Sequence, residues 1–401
     1  MYLEKEDKRR FKLAVLASHP IQYQTPFYKY LTESKELDLH VFFCSDIGYK
    51  TYTDEGFGQS FKWDTPLLEG YKYEFLKNIS LFPNVSKFWG LINPSIIKKL
   101  ITEKFDALWI HGWSRFTDWL VMIVAIKYNI PVFIRGESNL LSNVPFWKAA
   151  LKKFILRNLF KKISAFLAIG RYNAEFYEYY DVPKEKIFLV PYCVNNDFFI
   201  SKANELIPQK EKLRKKYNIP GNLPVILFSG KLISVKRPMD LLKAFELVSR
   251  EYKCSLVFVG EGVLRNELES YIREKKLNNV FFMGFKNQTE LPEFYAMADI
   301  FVLPSEHEPW GLVVNEAMCF GLPVIVSNMI GSGGDLIKEG ENGYIFQACK
   351  IFDLEQKIRL LLSNTVNGSR LRDTSRKIIS KWSYKEGVSG ILSCLKSIKN
   401  N

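Results

Sequence analysis

Short runs of apolar, β-branched or aromatic residues alternate along the whole chain with longer stretches whose apolar positions recur every three or four residues. In the first half the short runs are Lys12–Ser18, Leu39–Cys44, Ala107–His111, Val132–Arg135, Ala165–Ile169 and Ile187–Pro191. In the second half they are Val225–Ser229, Ser255–Gly260, Val280–Met283, Ile300–Pro304, Pro323–Ser327 and Gly343–Phe346. Each run reads as a strand, and helical patterns fill several of the gaps. Strands separated by helices predict parallel sheets built from β-α-β units, and so an α/β protein.

Residues 198–222, between the halves, are polar and charged and end in the Pro220-Gly221 pair of a turn. The expected organisation is a first Rossmann-like domain over 1–197, a linker over 198–222, a second Rossmann-like domain over 223–375, and an amphipathic C-terminal stretch over 376–401. Two doubly wound domains joined in this way enclose a central crevice lined by the carboxyl ends of their strands, where such sheets bind ligands. Chemistry is therefore sought just after strands.

Length and composition agree with this pattern. A chain of 401 residues suits two cores better than one, and 47% hydrophobic with 25% charged residues excludes a mainly disordered or collagen-like chain. Lys and Arg number 56 against 43 Asp and Glu, a formal charge of +13 that favours anionic partners: nucleotides, phospholipid surfaces or nucleic acid. The cysteines at 44, 193, 254, 319, 349 and 394 form neither a C-x-x-C pair nor a dense disulfide pattern and are expected to be reduced. The first residues lack the apolar core of a signal peptide, and no long uncharged apolar run occurs, so a cytoplasmic chain, soluble or peripheral at a membrane, is expected.

Ile300 to Phe346 is the most informative segment. It begins as a buried strand, breaks at Pro304-Ser305, and resumes as a helix near Trp310-Gly311 with Val313, Val314, Ala317 and Met318 on its apolar side. The amides of Gly311, Leu312 and Val313 fall at that helix N-terminus, a ready site for a phosphate or sugar oxygen. Glu308 lies in the loop and Glu316 inside the helix, so both carboxylates are expected to face the crevice from different depths. Carboxylates accept hydrogen bonds from vicinal hydroxyls, and a sugar nucleotide offers such pairs on two rings. By itself the E-x7-E spacing is equally that of a surface acid and an ordinary helix residue. The strand, Pro-Ser, E-x-P-W-G-L, helix and G-x-P-V context around it, followed by Gly333-Gly334, favours a site.

That context resembles the signature of the retaining glycosyltransferase family 4, whose fold is GT-B, two Rossmann-like domains facing a crevice. The resemblance implies that Glu308 contacts the transferred sugar and Glu316 the nucleotide ribose, and that the C-terminal helix returns to the first domain. Upstream, Ser229-Gly230-Lys231-Leu-Ile-Ser-Val-Lys236-Arg237-Pro is similar to the family's basic segment after the first strand of the second domain. Lys231 and Lys236 match the positions that bind the donor diphosphate, where paired ammonium groups stabilise the charge of the departing group. Val259-Gly-Glu-Gly-Val and Met283-Gly-Phe through Tyr295 to Ser305 match the family more loosely.

In the first half, Ser18-His19-Pro20 stands where the family commonly carries a glycine-rich turn, and His19 is expected to act as an acceptor contact or general base, or simply to end a strand. His111 matches a histidine that in related enzymes approaches the transferred sugar. Arg135 and Glu137, at the end of the next strand, are further candidates for acceptor or donor contact. Lys186 to Phe199 resembles a family stretch in which Asn-Gly occupies the positions of Tyr192-Cys193. Trp147 to Lys162 carries six Lys or Arg and no acid around a broad apolar face. Two readings fit it: a helix lying on an anionic membrane near a lipid-linked acceptor, and a domain helix packing its apolar side inward.

The resemblance implies transfer from a nucleotide-diphosphate-sugar to an acceptor hydroxyl with retention, without metal or other cofactor, in the assembly of cell-surface polysaccharide or glycolipid. The rival readings are an inverting enzyme of the same fold, a non-transferring sugar-nucleotide enzyme, and a basic nucleic-acid-binding protein. The last lacks any helix-turn-helix, zinc-ligand or RNP-like pattern, so no nucleic-acid partner is expected.

Overall fold

The computed structural model describes residues 9–49, 52–54, 59–141, 145–363 and 368–399. It divides into two compact units: Met1–Thr51, Pro66–Pro191 and Tyr384–Asn401 form the first, Tyr52–Thr65 and Tyr192–Ser383 the second.

In chain order the strands are β1 (Phe11–Ala17), β2 (Leu37–Phe43), β3 (Tyr52–Asp54), β4 (Gln59–Phe61), β5 (Lys72–Phe75), β6 (Ala107–Ile110), β7 (Val132–Ile134), β8 (Ala165–Ala168) and β9 (Ile187–Leu189). They continue with β10 (Val225–Ser229), β11 (Ser255–Val259), β12 (Val280–Phe282), β13 (Ile300–Leu303), β14 (Val324–Ser327) and β15 (Gly343–Phe346). The first unit holds the parallel sheet β5-β2-β1-β6-β7-β8-β9, and the second the parallel sheet β12-β11-β10-β13-β14-β15. In each, the first strand of the order in sequence has neighbours on both sides, which makes its carboxyl end the switch point of a doubly wound sheet. β3 and β4 pair separately as an antiparallel hairpin.

Every run read as a strand from the sequence forms one. β10, β11, β13 and β14 are buried at every position, as strands must be when helices cover both sheet faces. In the first unit Leu16, Phe42, Ile110 and Phe166 share a core with Leu100, Val121, Leu156 and Phe176 from the intervening helices. The helix Tyr384–Lys399 packs in the same unit. Its Tyr384 ring stacks on Phe27 with centroids 5.4 Å apart, and a Cβ on Gly387 would lie 2.7 Å from that Phe ring.

Three expectations are corrected. The first unit ends at Pro191 rather than 197, and it resumes at Tyr384 rather than 376. Residues 198–222 are not a linker. They lie in helices Asn196–Leu206 and Lys210–Lys216 and the turns beside them, all within the second unit. Phe199, Ala203 and Leu213 are buried there, and the Arg214 guanidinium donates to the Met297, Gly221 and Leu223 carbonyls and to Asp299. Finally, β5, β3 and β4 were not expected, and the segment 52–65 carrying the hairpin belongs to the second unit.

Candidate functional site

β10 and β13 are neighbours in the second sheet, with β14 beyond β13, so the loops that leave their carboxyl ends lie side by side. Backbone bonds join them. Glu306 N donates to Val235 O at 2.8 Å, linking the β13 loop to the β10 loop. Glu308 N donates to Met329 O at 3.2 Å, and Gly331 N returns to Glu308 O at 3.0 Å, linking the β13 loop to the β14 loop. A Cβ on Gly331 would sit 1.8 Å from Pro309 O, so only glycine permits that approach.

This fastening places Lys236, from the β10 loop, in an ion pair with Glu308, from the β13 loop. Glu308 also accepts from Ser305 Oγ at 3.2 Å. Their side chains retain 23% and 11% of their exposure. Arg237, at a left-handed φ of 52°, turns away to pair with Asp240 at 2.8 Å. Lys231 follows Gly230 at the end of β10 and is half-buried.

The helix Leu312–Cys319 begins as expected, with Gly311 as its N-cap at φ 92°. Gly311, Leu312 and Val313 are half-buried, whereas Val314 through Cys319 are buried. Trp310 locks the entry: its Nε1 donates to Asn315 Oδ1 at 2.9 Å, Asn315 Nδ2 donates to Tyr192 O at 3.0 Å, and its ring lies 5.1 Å from Trp382. The Tyr192-Cys193 departure thus occurs at a backbone carbonyl that the site helix uses.

Glu316 departs from expectation. It is fully buried, accepting from Tyr295 OH at 2.6 Å and from Gln288 Nε2 at 3.2 Å. Gln288 is itself buried, and its Oε1 has no hydrogen-bond partner among the described residues. Gln288 and Tyr295 were not singled out from sequence as partners of Glu316. One signal existed: a tyrosine on the apolar face of a buried helix must find a polar partner for its hydroxyl.

In the first unit His111, just after β6, belongs to a closed ring of side chains. Gln24 Nε2 stands 3.5 Å from His111 Nδ1, His111 Nε2 2.8 Å from Tyr28 OH, and Tyr28 OH donates to Gln24 Oε1 at 3.3 Å. One proton assignment satisfies all three: the amide donates to Nδ1, Nε2–H donates to the phenol, and the phenol donates to the amide oxygen. Burial, then the Arg135 and Arg115 cations, hold the His111 pKa well below its ordinary value, so the ring is neutral. His19, after β1, has Nδ1 2.9 Å from Ser18 Oγ and is brought down to about 4 by burial and by Arg115. Arg135 is buried, donating to the Val190 and Pro191 carbonyls at 3.3 and 3.2 Å with its guanidinium 5.9 Å from the Phe27 and Trp109 rings. Those bonds tie the chain after β7 to the chain after β9, and Glu137 beside it is exposed. At the carboxyl ends of β2 and β5 a cavity of about 600 Å³ presents Ser45, Asp46 and Lys77 among Tyr49, Phe75 and Pro83.

Residues 209–381 match the model of the family described as glycosyl transferases group 1. Spore coat protein SA of Bacillus subtilis (strain 168) is 33% identical over 190 residues, 44% of this chain and 48% of that protein. An uncharacterized glycosyltransferase of Methanocaldococcus jannaschii, MJ1178, is 26% identical over 329 residues, 80% of this chain and 84% of that protein. The chain thus spans about half the length of the first relative and most of the second. The crystal structure of Anabaena Alr3699/HepE in complex with UDP and glucose superposes with a TM-score of 0.71 at 19% identity, covering 97% of this chain and 100% of that one. The two sheets and their strand orders are those of the GT-B fold, and residues 209–381, within the second unit, are similar to the group 1 glycosyl transferases.

Proposed function

We propose that the chain is a retaining glycosyltransferase of family 4 that moves a sugar from a nucleotide-diphosphate-sugar to an acceptor hydroxyl, in cell-surface polysaccharide or glycolipid assembly. The donor belongs to the second unit and the glycan or lipid-linked acceptor to the first. The reading rests above all on the Lys236–Glu308 pair, which brings an ammonium and a carboxylate from adjacent strand ends to the foot of the Gly311 helix. An ammonium held by a carboxylate is oriented before ligand arrives, and preorganised charge costs no rearrangement when the leaving group develops its own.

In this mechanism Lys231 and Lys236 take up the growing charge on the departing diphosphate, with no metal required of the chain. Amides at Gly311, Leu312 and Val313 receive a phosphate or sugar oxygen. Glu308 keeps a lone pair for a sugar hydroxyl while one oxygen holds Lys236. Glu316 receives the ribose once Gln288 shifts to open it, the carboxylate staying oriented by Tyr295. The diphosphate itself accepts the acceptor's proton on the face it leaves. His111, neutral and held by Tyr28, offers Nδ1 to the sugar once its long 3.5 Å bond to Gln24 is given up, and serves as a polar contact rather than a base; His19 borders the acceptor. HepE, with its bound UDP and glucose, makes UDP-sugars the first donors to try. On this reading the protein works in the cytoplasm, free or peripheral at the inner face of the cytoplasmic membrane.

Thermal shift with UDP-, GDP- and ADP-sugars tests the donor, since a ligand at a hundred times its Kd stabilises by about 2.7 kcal/mol. Anomeric analysis of the product by NMR then decides between retention and inversion. A chain that no sugar nucleotide stabilises, and whose Glu316→Ala variant behaves as wild type, sinks the reading.

A further inference from the structure

Residues 78–92, after β5, form an ordered loop with an apolar surface. Asn78 ties its two ends: Nδ2 donates to Gly90 O at 2.9 Å, while Oδ1 accepts from Ser80 N at 3.1 Å and Ile92 N at 2.9 Å. Ser80 Oγ crosses the loop to Trp89 O at 2.7 Å, and Arg115 Nε reaches Val85 O at 3.1 Å. Although the backbone is so fastened, Leu81 is 88%, Phe82 81%, Trp89 63% and Ile79 53% exposed. A hydrogen-bonded frame that holds large apolar side chains in water calls for an apolar environment to receive them.

The helix Phe146–Phe160 shows the same feature. Leu156 and Phe160 point into the core, which meets the inward-packing reading of this segment, yet Trp147, Leu151, Phe154 and Ile155 form a second, outward stripe at helical spacing. Leu151, Phe154 and Ile155 of that stripe remain 57%, 69% and 43% exposed. The helix follows β7 and the loop follows β5 in one parallel sheet, so both start from its carboxyl edge. Trp89 reaches across to stack on Phe116, at the start of the helix after β6, with centroids 5.0 Å apart. Charge distinguishes the possible occupants. No Asp or Glu occurs between Glu74 and Glu103, or between Glu137 and Glu175, while Lys77, Lys87, Lys161 and Lys162 in these stretches are exposed. Arg157 of the helix is paired with Asp181, but Lys77, Lys87, Lys161 and Lys162, which flank the apolar side chains, form no ion pair among the described residues. Exposed apolar groups beside such cations match a bilayer of anionic lipid, where each lysine near the surface adds attraction.

We propose that the first unit docks on an anionic membrane with the Leu81–Phe82 tip inserted among the acyl chains and the outward face of helix Phe146–Phe160 lying in the headgroup layer. Asn78 and Pro83 of the same loop rim the cavity at Asp46 and Lys77, which puts the polar head of a lipid-linked acceptor within the enzyme while its chain stays in the bilayer. This last step rests on the transferase reading; the docking does not, and it is measured without donor or acceptor.

The test is co-sedimentation of the full chain with vesicles of phosphatidylcholine alone and of phosphatidylcholine mixed with phosphatidylglycerol. Binding to the mixed vesicles, weak binding to the neutral ones, and a roughly tenfold or greater loss in L81S/F82S and in L151S/F154S support the proposal. Absence of wild-type binding overturns it, and so does undiminished binding by both variants. Concentration-dependent self-association abolished by L81S/F82S, without vesicle binding, overturns it in favour of a second copy. Should a variant fail to fold, quenching of wild-type tryptophan fluorescence by lipids brominated along the acyl chain decides the matter: quenching supports insertion, and none rejects it.

Discussion

Glu316 is buried, acidic and bonded to two protein donors before any ligand arrives. The amide orientation of Gln288 follows from chemistry. An amide nitrogen donates and an amide oxygen accepts, so with Nε2 given to Glu316 the Oε1 is left without a partner among the described residues. Tyr295→Phe removes one donor from a buried acceptor and is expected to destabilise by about 1–3 kcal/mol in urea unfolding; an unchanged midpoint would show that the bond carries no weight. Lys236→Ala leaves Glu308 without its cation and is expected to lower turnover roughly a hundredfold to a thousandfold. Wild-type turnover in that variant would remove Lys236 from the mechanism. Lys236, Glu308 and Glu316 were legible as candidates because local spacing fixes each one relative to a strand end. Gln288 and Tyr295 were not, since they lie 28 and 21 residues from Glu316 and meet it only through the packing of a separate helix and loop.

The site is assembled where strands end, and one glycine sets the geometry of its helix. At φ 92° Gly311 occupies a region that L side chains avoid, and a Cβ there would lie 3.0 Å from Leu303 Cδ2 and 3.2 Å from Ile330 Cγ2. Gly311→Ala is expected to cost about 1–3 kcal/mol in thermal or denaturant unfolding. His19, in the loop after β1, and Asp118, in the first turn of the helix Phe116–Lys127, set opposite pH slopes. His19, near 4 folded against 6.5 unfolded, stays neutral in the native chain, so stability falls as pH drops through that interval. Asp118, pushed up by burial from 3.8 to about 7 despite Arg115, keeps its proton when folded, so stability falls as pH rises through its own interval. Melting temperatures across pH 4–7 should rise on the acid side in His19→Asn and on the neutral side in Asp118→Asn, each relative to the wild-type curve; parallel curves would contradict the assignment. At this scale the buried strands were fully legible, because a run covered on both faces carries no polar interruption. β5 was not: its four residues, Lys72–Phe75, lie at the edge of the sheet with none fully buried. The helices over 198–222 read as a linker because their charged outer faces outnumber the few residues, Phe199, Ala203 and Leu213, that anchor them.

Sequence continuity and structural continuity part company in the whole molecule. The chain passes from one unit to the other at 51–52, 65–66, 191–192 and 383–384. Segment 52–65 joins the second unit through Asp64, which accepts from Thr289 N at 3.1 Å, and through Lys62, whose carbonyl accepts from Asn287 Nδ2 at 2.8 Å. Deleting Tyr384–Asn401 is expected to lower amide-exchange protection in β1, β2, β8 and β9 and to spare β10 through β14; uniform loss in both sheets would refute this division. The same connectivity fixes an order of completion during synthesis. A ribosome delivers all of residues 192–383 before it delivers the helix that covers Phe27 and Leu189, so the second unit is finished while the first-made one still lacks its closing piece. A nascent chain interrupted there carries a complete second unit behind an unfinished first one, and its oldest residues are among the last to reach their native surroundings.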